Sequence, residues 1–74
     1  MTEELQTLFG HNIRRLRLER KLTQEELAQK AGINRSYLGS VERGGRRVSM
    51  ENIARLAKAL GVSADVLFRS ADYE

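Results

Sequence analysis

Arg35 and Ser36, with Ser40 one turn further on, place hydrogen-bond donors along one side of a run that begins at Asn34, a good helix N-cap. A guanidinium donates two parallel hydrogen bonds to a guanine edge, a pairing that discriminates against a wrong base by roughly 1 to 3 kcal/mol, while a serine hydroxyl is less selective. The neighbouring Tyr37 carries a hydroxyl that can reach a phosphate and a ring that can pack on the helix. Covalent catalysis fits the same residues poorly. A nucleophile needs an adjacent base held by a third group, and the 74 residues contain one histidine, His11, and no cysteine. Those counts exclude disulfide staples and thiolate metal sites, and one histidine cannot build a metal site alone. His11 is expected on the surface of a first helix. Glu25 and Glu26 read as first-turn residues favoured by a helix dipole. No enzyme activity, metal or cofactor is expected.

The elements that carry these residues must come from one small domain. A chain of this length buries only about 60% of its unfolded surface, which excludes cofactor-binding double-layer folds. The expected domain is residues 1–74, with the fold proper at about 5–69. Thirteen Lys and Arg against ten Asp and Glu leave a net charge of +3, unevenly spread. Residues 13–22 carry +4, from Arg14, Arg15, Arg17, Arg20 and Lys21 against Glu19, and residues 34–47 carry +3, from Arg35, Arg43, Arg46 and Arg47 against Glu42. Both chain ends are acidic. Arginines gathered on one face attract phosphates, because each ion pair releases condensed counterions from a duplex. No apolar stretch approaches the roughly 18 residues that span a bilayer, and the start MTEELQTLFG is acidic where a signal peptide is basic. A cytoplasmic protein without membrane contact is expected.

Periodicity predicts an all-α chain of five helices. Leu5, Phe9, Ile13 and Leu16 recur at helical spacing and form the inner stripe of a first helix ending near Arg20. Thr23 and Glu26 have the spacing of a capping box and open a second helix whose inner face is Leu27 and Ala28. Gly32 stops it in the left-handed conformation, and Asn34 caps a third helix over about 35–43 with Leu38 and Val41 inward. Gly44 and Gly45 end that helix before the basic pair Arg46 and Arg47. Ser49 caps a fourth helix with Ile53, Leu56, Ala57 and Leu60 inward, closed by Gly61. Ser63 caps a short fifth helix carrying Val66, Leu67 and Phe68.

A helix of about eight residues, a glycine-containing turn and a second helix of about nine form a helix-turn-helix unit. In that geometry the first helix braces across a sugar-phosphate backbone and the second pushes its N-terminal side chains into the major groove. The run TQEELAQKAGINRSYLGSVERG, Thr23 to Gly44, resembles the helix-turn-helix of the Cro and phage-repressor family, also called the XRE family. The resemblance rests on Thr23-Gln24, Leu27-Ala28, Gly32, Leu38, Val41, Glu42 and Gly44, and extends through SMENIARLAKALGVSADVLF over about residues 11–69. INRSYLGSVERGGRR is further similar to the controller proteins of bacterial restriction-modification systems, in which an Arg-Ser/Thr-Tyr triplet opens the recognition helix.

The resemblance implies a lambda-repressor-like domain with specific roles. Arg35, Ser36 and Ser40 are expected to contact bases. Gln24, Asn34, Tyr37, Arg43, Arg46 and Arg47 are expected on the DNA backbone or groove edge, and Arg17 with Glu42 as an internal ion pair. Lys21 stands where the family often has glycine, so a positive φ is expected there. Arg47 stands where many controller proteins carry asparagine.

The expected function is sequence-specific recognition of double-stranded DNA by a transcriptional regulator, a controller protein acting on its own promoter. One recognition helix contacts few bases, so a homodimer on a palindromic operator is expected, with half-sites about 34 Å apart. The apolar residues Val66, Leu67 and Phe68, with parts of the fourth helix, are the candidate interface. Activation would add RNA polymerase as a partner. The alternative is an antitoxin-type protein-binding module, which usually needs a further segment; here only residues 70–74 lie beyond the expected fold. RNA binding is disfavoured by an aromatic content of 5%.

Overall fold

The computed structural model describes residues 1–70; of residues 70–74, expected to lie beyond the fold, 71–74 are outside the described residues. Four α-helices and one 3-10 segment follow in order: α1 (Glu3–Glu19), α2 (Gln24–Ala31), α3 (Arg35–Glu42), α4 (Met50–Leu60) and the 3-10 segment (Ala64–Phe68). No strand occurs among the described residues.

Local chemistry accounts for the boundaries. Thr23 accepts from the Glu26 N–H at 3.0 Å and its own N–H donates to Glu26 Oε1 at 2.8 Å, completing the expected capping box. Gly32 closes α2 at φ 70°, and the Ile33 N–H returns to the Ala28 carbonyl at 2.9 Å. Asn34 Oδ1 then accepts from the N–H groups of Ser36 and Tyr37, so three residues separate α2 from α3. Ser49 and Gly61 bracket α4 as expected. Lys21 does take a positive φ, 57°.

Two expectations about elements are corrected. The fifth element is a 3-10 segment, with bonds from the Val66 N–H to Ser63 O and from the Arg69 N–H to Val66 O. Five residues give an α-helix almost no interior, and Asn12 in α1 already takes the outgoing Leu67 and Arg69 carbonyls at 2.9 and 2.8 Å. The first helix begins at Glu3 and is capped by Thr2, whose hydroxyl accepts from the Leu5 N–H. Leu5, expected inside, is exposed because the core starts one turn later at Phe9.

Phe9, Ile13, Leu16, Leu27, Leu38, Val41, Leu56, Leu60 and Leu67 form the centre of the core. α3 lies against α1 at close range. A Cβ on Gly10 would sit 2.1 Å from the Val41 carbonyl oxygen, so only glycine permits that approach. Gly10→Ala is therefore expected to lower stability by about 2–4 kcal/mol, read from the urea midpoint; an unchanged midpoint would contradict the packing described.

The capping box also makes a pH prediction. Hydrogen bonds from the Thr23 backbone N–H and then the Thr23 side chain hold the exposed Glu26 carboxyl below its ordinary 4.5. A depressed carboxylate contributes stability above its unfolded pKa and loses it as pH falls through the folded value. Glu26→Gln should flatten the loss of melting temperature below pH 4.5; a slope equal to the parent's would contradict it.

Candidate nucleic-acid interface

The expected site residues fall into an anchored end and an exposed end of α3. At its C-terminus the Glu42 carboxylate, 2% exposed, receives Arg17 Nε at 2.7 Å and Arg17 Nη2 at 3.1 Å. Arg17 Nη1 donates onward to the Leu22 carbonyl at 2.8 Å, and Gln24 Nε2 donates to Glu42 Oε1 at 3.0 Å. A carboxylate at a helix C-terminus opposes the helix dipole. The bidentate guanidinium compensates for that and for burial, and ties α1, α2 and α3 together at one point. The internal pair implied by the family resemblance is thus present.

At the other end Arg35 and Ser36 are exposed on the first turn of α3, with Ser40 half-buried one turn on. Arg43 Nη2 donates to Ser40 Oγ at 3.3 Å. Arg43 and Gln24 flank Gly39, where a Cβ would lie 3.3 Å from Arg43 Nη1 and 3.8 Å from Gln24 Oε1. Asn34, expected on the DNA backbone, spends its Oδ1 on the α3 cap. Tyr37 is half-buried against the core. Its hydroxyl donates to the Arg47 carbonyl at 3.4 Å and accepts from Asn52 Nδ2 at 3.3 Å, and the Arg46 guanidinium lies 5.4 Å from its ring centre.

The two basic stretches of the sequence have different fates. In the first, Arg17 is committed to Glu42, Arg15 pairs with Glu19 at 3.1 Å and Arg20 Nε donates to the Leu60 carbonyl at 2.7 Å, which leaves the exposed Arg14 and Lys21 outside these contacts. In the second, Arg35, Arg43, Arg46 and Arg47 are all exposed, and none pairs with a carboxylate among the described residues. The larger share of unspent positive charge is therefore on α3 and the loop after it.

A sequence pattern described as Helix-turn-helix matches residues 13–67. The chain belongs to this helix-turn-helix family. Within the family it is similar to control protein C.BamHI of Bacillus amyloliquefaciens, 43% identical over 63 residues that cover 84% of this chain and 78% of that protein. Among solved structures it is similar to the restriction-modification controller protein C.AhdI from Aeromonas hydrophila. That match has 48% identity and a TM-score of 0.83 over 85% of this chain and 96% of the other. The hypothetical transcription factor NHTF from Neisseria superposes with a TM-score of 0.88 at 34% identity, over 97% and 84% of the two chains. This family member is thus a DNA-binding transcriptional regulator of the helix-turn-helix type, closely related to restriction-modification controller proteins.

The expected dimer residues need one correction. Leu67 is fully buried in its own core and has no surface to offer a second chain. Val66 and Phe68 are partly exposed, although the Phe68 ring already packs against Phe9, tilted by 37° at 5.1 Å between ring centres. Sequence reasoning missed Asn12, Gln6 and Asn52. Gln6 Nε2 donates to the Gly44 carbonyl at 3.3 Å. These polar residues make tertiary contacts that helical periodicity does not signal. No helix among the described residues is long and apolar enough to cross a membrane.

Glu42→Ala leaves the Arg17 guanidinium buried without its carboxylate, and is expected to cost about 3–5 kcal/mol in urea unfolding. A variant as stable as the parent would show that the pair does not anchor α3.

Proposed function

We propose that this chain is a dimeric controller protein of a restriction-modification system, recognising a palindromic operator in its own promoter region. Arg35 and Ser36 read base edges in the major groove, with Ser40 beside them. Gln24, Arg43, Arg46 and Arg47 hold the phosphates on either side. Asn34 contributes by capping α3, and Tyr37, on α3, by its contacts to Arg46 and Arg47 of the following loop. Val66 and the open side of Phe68, with part of α4, meet the second subunit.

The observation that carries the reading is the asymmetry of α3. Its C-terminus is locked by the 2.7 Å Arg17–Glu42 contact, while its N-terminus presents an uncompensated arginine to solvent. An element fixed at one end can place Arg35 reproducibly against a base edge, and positioning of this kind is what discrimination between bases needs. A dimer adds the second half-site. Similarity to C.BamHI and C.AhdI supports the controller assignment.

Selection of bound duplexes from a random pool at about 150 mM salt tests this directly. The parent is expected to yield a two-fold-symmetric site. Arg35→Ala should lose one base preference in each half, and Arg46→Ala should weaken all sequences evenly while making the salt dependence shallower by about one per subunit. An unsymmetric or featureless pool would overturn the proposal.

A further inference from the structure

Beyond the turn bonds from the Gly44 N–H to Val41 O and from the Gly45 N–H to Ser40 O, the stretch between α3 and α4, residues 43–49, is held at three places. Gln6 binds the Gly44 carbonyl, Val48 is buried in the core, and Tyr37 binds the Arg47 carbonyl. Arg46 and Arg47 hang between the first two anchors, so the third decides where their guanidinium groups stand. That anchor is a phenol with one proton to give and lone pairs to accept. Asn52, half-buried on the first turn of α4, donates Nδ2 to the Tyr37 oxygen at 3.3 Å, and the Tyr37 proton is directed to Arg47 O at 3.4 Å. The same ring carries the Arg46 guanidinium at 5.4 Å, within cation–π range.

We propose that Asn52 is a positioning residue for DNA binding: it orients the Tyr37 hydroxyl onto the Arg47 carbonyl and thereby holds Arg46 and Arg47 in register beside α3. This rests on the reading of that face as the DNA surface. It also changes the role of Tyr37. While the hydroxyl donates to Arg47 O it has no second proton for a phosphate, so Tyr37 acts through the loop. Both guanidinium groups are then pre-placed for successive phosphates, and less freedom is lost on binding than from an unpinned loop.

The test compares the full chain with Asn52→Ala, Tyr37→Phe and the double variant on the selected operator across a salt series. Alanine suits a helix, so α4 tolerates the change. Each single variant is expected to bind about three- to ten-fold more weakly. The double variant should be no worse than either single one, because both remove one latch. The slope of log K against log salt should become shallower by about one per subunit in all three, a readout that a purely structural role does not move. Amide exchange at Arg46–Val48 should accelerate in the free variants while the melting temperature stays within a few degrees.

If Asn52→Ala binds like the parent while Tyr37→Phe loses affinity at an unchanged salt slope, the phenol contacts phosphate itself and the proposal falls. If Asn52→Ala fails to fold, Tyr37→Phe carries the test: an unchanged slope and unchanged exchange overturn the latch. A parent that does not discriminate operator from scrambled duplex instead overturns the proposed function, whatever the variants do.

Discussion

One buried ion pair sets the terms for the rest of this fold. α3 has eight residues, too few to persist alone in water. Leu38 and Val41 fix its inner face, but apolar contact allows sliding, and a carboxylate at its C-terminus opposes the helix dipole. Arg17 resolves both matters, since a bidentate guanidinium admits one geometry and neutralises Glu42 in place. Gln24 joins the same carboxylate from the first turn of α2. The two helices of the helix-turn-helix are thus linked at both ends: by the Gly32–Asn34 turn at one, and by the Glu42 carboxylate at the other.

That anchor divides the protein electrostatically. Three of the four arginines in residues 13–22 are taken up internally: Arg17 on Glu42, Arg15 on Glu19 and Arg20 on the Leu60 carbonyl at the end of α4. Those of α3 and the following loop are left to solvent. The net charge of +3 is modest, yet four exposed arginines without a carboxylate partner among the described residues gather on α3 and the loop after it. Segment counts alone assign similar weight to residues 13–22 and 34–47; internal pairing breaks the tie.

Much of the fold is legible in the sequence because it depends on local rules. Thr23 with Glu26, Gly32, Asn34, Ser49 and Gly61 each act within four residues, and each stands where the pattern puts it. The errors lie where distant parts meet. Leu5 fits the apolar stripe of α1 but stays outside the core of the described residues, and Leu67 looks spare until Asn12 draws the 3-10 segment onto α1. Asn12 and Asn52 are ordinary polar residues in sequence and become connectors only when residues 55 and 15 positions away arrive beside them. In the site, the donors of α3 and the loop are legible by type and spacing. The division of labour between Tyr37, Asn52 and Arg46 is not, because it depends on the path of a loop with no periodicity.

Base reading from the major groove is the role proposed above for the N-terminal turn of α3. Binding to the selected operator with its half-site guanines replaced by 7-deazaguanine measures this most directly, because the change deletes a major-groove acceptor and leaves the phosphates and Watson–Crick pairing in place. The account predicts a marked loss of affinity at one guanine position in each half-site, absent in the Arg35→Ala variant. Equal binding to both duplexes would contradict it.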